Sequence, residues 1–212
     1  MSGWANEITV LSVREAIRKR AHMYVGPLDE LLPNRLLLES LCRSLPSGCQ
    51  GHAKSLVIDL WESGKAAHEV DGPGWPNEVH EAFSKRYGRE VRIPEILMME
   101  LAACRDMSEE KLTCNHGMVT VNALSKSLLL ENYVDGGRWK MTFFQGLLVD
   151  PYERQGRAEK TGTLLNFHLD PEIMPHVEFV VPELLVELAK VRPSGLEIRV
   201  RDNRTKQEFL VA

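Results

Sequence analysis

The sequence predicts an α+β fold, a two-layer sandwich with helices packed on one face of a mixed β-sheet. Three observations predict it. Runs of two-residue alternation flank tight turns, as in Ser127 to Val134 and Arg138 to Phe144 around Asp135-Gly136-Gly137. Apolar residues at helical spacing lie between such runs, Leu37, Leu38, Leu41 and Leu45 being the clearest set. No internal repeat or low-complexity tract interrupts the 212 residues, and 43% hydrophobic content is enough for one well-buried core.

Taken in chain order, Ser12 to Arg20 reads as a short helix capped by Ser12, with Glu15 three residues on completing a capping box. Asn34 is the expected cap of a second helix, which carries the four leucines on one face and ends at Pro46 and Gly48. Glu39 and Arg43 share another face of it. Ser55 to Trp61 is a strand, and Lys65 to Val70 is its hairpin partner across Glu62-Ser63-Gly64. The Pro and Gly cluster at 72 to 76 ends that pair. From about Glu78 to His116 charge rises and Gly88 and Pro94 break any periodicity, so the segment reads as a long insertion carrying one helix. Met118 to Leu124 is helix-compatible, with Gly117 before it. After the 127 to 144 hairpin, Thr163 to Leu169 adds a third strand. Pro182 to Val191 is a helix with proline in its first turn. Leu196 to Arg201 and Gln207 to Leu210 close the chain as strands around Asp202 to Thr205.

Composition narrows the function classes. With 26 Lys plus Arg against 30 Asp plus Glu, the net charge of -4 disfavours general affinity for nucleic-acid backbones. Two basic clusters, Arg18-Lys19-Arg20 and Lys85-Arg86 with Arg89 and Arg92, keep direct DNA contact as a minor reading. No stretch approaches the length of a spanning helix, and Met1-Ser-Gly-Trp-Ala-Asn-Glu is not a signal sequence, so the expectation is a cytoplasmic protein with no membrane contact. Cys42, Cys49, Cys104 and Cys114 have no CxxC spacing and are expected to be reduced, structural thiols. The seven histidines form no HxH or HxxxH pair, and no metal site is expected.

Several ordered motifs then carry a resemblance. Val13-Arg-Glu-Ala-Ile-Arg-Lys-Arg-Ala-His-Met-Tyr-Val-Gly26, Gly51-His-Ala-Lys54, Val121-Asn-Ala-Leu-Ser125, Glu159-Lys-Thr-Gly-Thr163, Asp170-Pro-Glu-Ile173 and Arg199-Val-Arg-Asp202 follow one another along almost the whole chain. In this the chain resembles the N-terminal ATPase domain of the B subunit of DNA gyrase and its topoisomerase IV counterpart, members of the GHKL (Bergerat-type) ATPase group. The resemblance implies one gyrase-B-like domain over 1–212, with a lid-like insertion at about 78–116. The chain ends at Ala212 with no transducer domain, so strand passage by this chain alone is not expected.

The resemblance also implies a nucleotide site, and this chain departs from it at specific positions. Glu39 matches the family's glutamate, which orients and deprotonates the attacking water. The family's magnesium-holding asparagine, four residues on, is Arg43 here, which has no lone pair for a metal and would repel it. Glu39 and Arg43 also stand in the favoured order for a helical ion pair, and Arg43 is alternatively a direct phosphate contact. In Val70-Asp71-Gly72-Pro73-Gly74-Trp75-Pro76, the residues Gly72, Gly74 and Pro76 align with the family's adenine-binding motif. Val70, however, replaces its adenine-reading aspartate, and Asp71 falls one residue late. Strand residues alternate faces, so only a bulge would turn Asp71 into the pocket. The family's glycine-rich phosphate lid reduces to Thr113-Cys-Asn-His-Gly-Met118, where Gly117 alone remains. Thr163 matches the threonine that supports the adenine-binding aspartate, and it also sits in a turn into a strand that the fold needs regardless.

The reading that follows is a pseudo-ATPase with a degraded ATP site and no cofactor, acting as a protein-interaction or regulatory module. Its partner is another protein or a second copy of the chain, met through an N-terminal arm bearing Trp4, Ile8 and Val10. The alternative is a divergent ATP-binding or ATP-hydrolysing subunit related to type II topoisomerases, using ATP and magnesium, with Glu39 as its catalytic residue. Arg43, Asp71, Gly72, Gly74, Pro76, Gly117 and Thr163 would then be its nucleotide contacts.

Overall fold

The computed structural model describes residues 11–42, 44–45, 50–101 and 117–211. Eight strands, β1 (Ser55–Leu60), β2 (Lys65–Val70), β3 (Ser125–Val134), β4 (Gly137–Phe144), β5 (Leu147–Arg157), β6 (Gly162–Leu169), β7 (Glu197–Asp202) and β8 (Gln207–Val211), form one sheet in the order β5-β4-β3-β6-β2-β1-β7-β8. β1 and β7 run parallel and every other neighbouring pair is antiparallel, so the sheet is mixed. The described helices are α1 (Val13–Lys19), α2 (Ala21–Val25), α3 (Leu32–Leu41), α4 (Glu81–Tyr87), α5 (Ile93–Met99), α6 (Met118–Ala123) and α7 (Val181–Val191).

Alternation along the strands gives the sheet two chemically different faces. Leu56, Ile58 and Leu60 of β1, Leu165 and Phe167 of β6, and Ile198 and Val200 of β7 pack into one buried core with Leu37 and Leu41 of α3 and Leu184 and Leu188 of α7. Removing this apolar surface from water is the main force holding helices to sheet. The opposite face is polar: Arg199 pairs with Glu197 and Glu208, Arg201 with Glu208, and Arg138 with Glu131. This is the expected α+β sandwich.

Several local expectations hold. Ser12 Oγ accepts from the Glu15 amide at 3.3 Å and Glu15 Oε2 accepts from the Ser12 amide at 2.9 Å, which completes the capping box. β2 occupies 65–70, and the β1–β2 turn takes Ser63 and Gly64 into the left-handed region.

Others are corrected. Asn34 is not a cap, because α3 starts two residues earlier, with Leu31 at its N-cap and Pro33 in its first turn. Its buried carboxamide instead donates to the Val180 carbonyl at 2.7 Å and accepts from the Val180 amide at 3.1 Å, tying α3 to the start of α7. The described part of the insertion holds two helices rather than one. Arg89 bridges them to the buried Glu95 at 2.6 Å, so the charge that blurs the periodicity is a packing element. α2 and β5 carry no clear sequence signal: α2 is barely longer than one turn, and in β5 only Tyr152 is buried along an edge strand with register shifts. Finally, Cys42 is disulfide-bonded, against the expected reduced thiol. The other three cysteines lie outside the described residues, and spacing in sequence does not reveal which Cα atoms approach.

Candidate functional site

The predicted site residues come from four places: the C-terminal half of α3, the end of β2 with the 71–76 segment, the start of α6, and the start of β6. Glu39 projects from α3, and its Oε1 accepts a hydrogen bond from the Gly117 amide. Gly117, at φ 69°, is the residue from which α6 begins. The carboxylate matched to the family's glutamate therefore sits on the amide matched to its phosphate lid.

β2 pairs in unbroken register on both sides up to Val70, which lies opposite Leu56 of β1 and Thr163 of β6. Val70 is buried, and no bulge turns Asp71 into its place. Asp71 is exposed, and its Oδ1 accepts from the amides of Lys54 at 2.8 Å and Ser55 at 2.9 Å. It fastens the start of β1.

Across from Val70, Thr163 is 2% exposed and its hydroxyl has no hydrogen-bond partner. Two residues back along the same face of β2, His68 is fully buried and neither ring nitrogen is partnered by geometry. Burial pushes its imidazole down to about 3, weakly opposed by the Ser40 backbone, so His68 is neutral in the fold at neutral pH.

The glycine motif has a packing role. Asn132 of β3, wholly buried, accepts from the Trp75 amide at 2.8 Å and donates to the Trp75 carbonyl at 3.0 Å and to Tyr152 Oη at 2.8 Å. A Cβ on Gly74, whose φ is 84°, would lie 2.9 Å from Asn132 Oδ1. Gly72 is buried and Pro76 exposed. Asn132 and His68 are not picked out by any motif in the sequence. Their one signal is position, a polar residue at a covered-face step of an alternating strand.

Arg43 and the arm residues Trp4, Ile8 and Val10 lie outside the described residues. Among the described residues, no three His, Cys, Asp or Glu side chains gather as a metal set, and no helix is long and apolar enough to cross a membrane.

The basic clusters are largely engaged. Arg18 bonds Asp170 Oδ2 at 2.7 Å and the Ala123 carbonyl at 2.9 Å, while Arg86, Arg89 and Arg92 pair with Glu100, Glu95 and Glu90. Because Asp170 is 1% exposed, Arg18→Ala strands a buried carboxylate and is expected to lower the unfolding free energy by about 3 kcal/mol. Urea denaturation of the two proteins measures it. A loss under about 1 kcal/mol would mean the pair behaves as a surface contact.

No protein-family model matches the chain. Individual relatives do. The chain is 32% identical over 215 residues to the B subunit of DNA gyrase from Haloferax volcanii, covering 96% of the chain and 33% of that relative. It is 29% identical over 215 residues to the B subunit of DNA gyrase from Thermotoga maritima, covering 97% and 33%. With the B subunit of the type 2 topoisomerase from Aquifex aeolicus it shares 28% over 214 residues, covering 97% and 26%. The chain thus spans a quarter to a third of the length of these relatives. Matches along nearly its entire length relate this chain to the B subunits of DNA gyrase and type 2 topoisomerase, and its mixed sheet covered by helices on one face is an α+β fold consistent with a GHKL ATPase-type domain.

Proposed function

We propose that the chain is a pseudo-ATPase, a gyrase-B-like domain whose ATP site has lost its chemistry and which serves as a protein-interaction or regulatory module. The observation that carries this reading is the pair formed by Val70 and Thr163. An isopropyl group stands where the family's adenine-reading carboxylate is expected, and the hydroxyl that would support that carboxylate is buried with no partner. An adenine amine in that position would be left unpaired at a cost of about 1–3 kcal/mol, or 10- to 100-fold in affinity.

Two further features support it. Glu39 already holds the Gly117 amide, so a carboxylate competes with any phosphate for that donor. Arg43, read from the sequence, replaces a neutral metal ligand with a fixed positive charge. The residues retained from the family, which are the support for an active ATPase, have structural duties instead. Gly74 admits the Asn132 side chain, and Thr163 pairs with β2 and β3 through its backbone. The partner we propose is a protein, reached through Trp4, Ile8 and Val10, or a second copy of this chain. Neither ATP nor magnesium is required.

Restoring both lost groups tests the reading. Val70→Asp sets a carboxylate beside the unpartnered Thr163 hydroxyl, and Arg43→Asn supplies a neutral metal ligand. The double variant is expected to gain magnesium-dependent binding of a non-hydrolysable ATP analogue by at least about tenfold, with either single change giving little. Wild-type protein that binds the magnesium complex as tightly as the double variant would overturn it.

A further inference from the structure

The polar face of the sheet holds a cleft at the end opposite the Val70 segment. One residue from each of four neighbouring strands or strand ends lines it: Asn166 on β6, Lys65 on β2, Trp61 just past β1 and Asn203 just past β7. Four strands at about 4.8 Å spacing give a floor about 14 Å across. The space above it is about 700 Å³, within the range of small-ligand sites. Walls come from the two hairpin turns, β1–β2 and β7–β8.

Those turns are held together. Glu178 accepts from the Ser63 amide at 2.8 Å through one oxygen and from Arg204 at 3.1 Å through the other. Arg204 is in turn clamped by the buried Asp202 through contacts of 2.8 and 3.0 Å. The walls are preorganised. Lys206 stands in the β7–β8 turn at φ 61°, a conformation that glycine or asparagine adopts with less strain. Neither Lys206 nor Lys65 has an ion-pair partner among the described residues. Nearby, His168, in register with Lys65, is held below its ordinary value first by burial and then by Lys65 and Lys126, with Asp170 opposing them. Trp61 is 37% exposed.

The lining thus sets an exposed indole beside two carboxamides and two lysines that form no ion pair among the described residues, and these lysines outnumber its one carboxylate, Glu62. We infer that this cleft binds a nucleoside phosphate: the planar base on Trp61, its polar edge on Asn166 and on the Oδ1 of Asn203, whose Nδ2 donates to Asp59 at 3.2 Å, and the phosphate between Lys65 and Lys206. Base stacking on an aromatic side chain and phosphate capture by lysine are the parts from which sequence-tolerant nucleotide sites are built. The cleft lies at the other end of β2 and on the other face from the Val70–Thr163 pair, so the inference does not rest on the state of the ATP site.

The test uses uridine monophosphate, with uridine and inorganic phosphate as half-ligands, read by quenching of tryptophan fluorescence. Uridine monophosphate is expected to saturate at millimolar or lower concentration, each half-ligand at least about tenfold weaker, with the quench lost in Trp61→Phe. Lys65→Gln and Lys206→Gly are each expected to weaken binding about fivefold, one surface charge contact apiece, without lowering the melting temperature. Lys206→Gly also relieves the turn, so its loss of binding is not a folding defect. A 5′-phosphorylated oligothymidylate distinguishes the source. Tighter binding than the mononucleotide, falling steeply with salt, identifies a strand end, and weaker binding identifies a free nucleotide. Absence of saturation by both uridine monophosphate and the oligonucleotide, or affinity unchanged in the Lys65→Gln, Lys206→Gly double variant, overturns the inference.

Discussion

Gly162→Ala is expected to destabilise the protein by about 4 kcal/mol, enough to leave much of a marginal domain unfolded. Gly162 starts β6 at φ 120°, a conformation side chains rarely adopt, and a Cβ there would lie 2.0 Å from the Val70 carbonyl oxygen. Backbone strain alone costs about 1–3 kcal/mol, and overpacking a site with backbone on the far side costs about as much again. The clash also has a direction. It pushes β6 away from β2, the pair in the middle of the sheet, so it acts on the contact between Val70 and Thr163. Denaturant unfolding measures the loss, and a change below about 1 kcal/mol would show that the two strands separate easily there.

Acid is expected to destabilise the fold early, well above the carboxylate range, and His68 is the cause. Its imidazole ordinarily takes a proton near 6.5, but in the fold burial lowers that to about 3. Below pH 6.5 the unfolded chain therefore binds a proton that the folded chain refuses. Stability from this group is intact above 6.5 and falls by about 1.4 kcal/mol per pH unit until the folded value is reached. Between pH 6.5 and 5 the loss is about 2 kcal/mol. His168, also lowered, adds to the same limb, whereas the lowered carboxylates Glu131 and Asp202 act only in stronger acid. His68→Leu removes the larger contribution together with two unpartnered buried nitrogens. The variant is expected to match or exceed wild type at pH 7.5 and to lose much less by pH 5. Parallel stability curves for the two proteins across that window would show that His68 is not the responsible group.

What the sequence discloses, and what it hides, follows from the range over which each signal acts. The capping box at Ser12 and Glu15 and the Asp135-Gly136-Gly137 hairpin are local chemistry, and both are present. The positions of Val70 and Asp71 are also legible, because a two-residue period fixes which neighbour faces the core. Asn34 misleads because its type favours a cap, while its actual partner, Val180, lies 146 residues away. β5 is hidden because an edge strand buries almost nothing and needs no alternation. Within the candidate site, the identities of Glu39, Gly117 and Thr163 can be read, but not that Glu39 holds the Gly117 amide or that the Thr163 hydroxyl stands alone. Those facts depend on how three elements pack. The cleft around Trp61 is invisible for the same reason, since its residues are contiguous only across four strands.

Loss of magnesium-ATP binding at the Val70–Thr163 site is measured by a calorimetric titration with a non-hydrolysable ATP analogue, with and without magnesium, on protein carrying Lys65→Gln and Lys206→Gly so that the open-face cleft is silent. No saturable heat is expected up to millimolar analogue in either condition. Saturable binding strengthened by magnesium would contradict this and favour the ATP-using alternative.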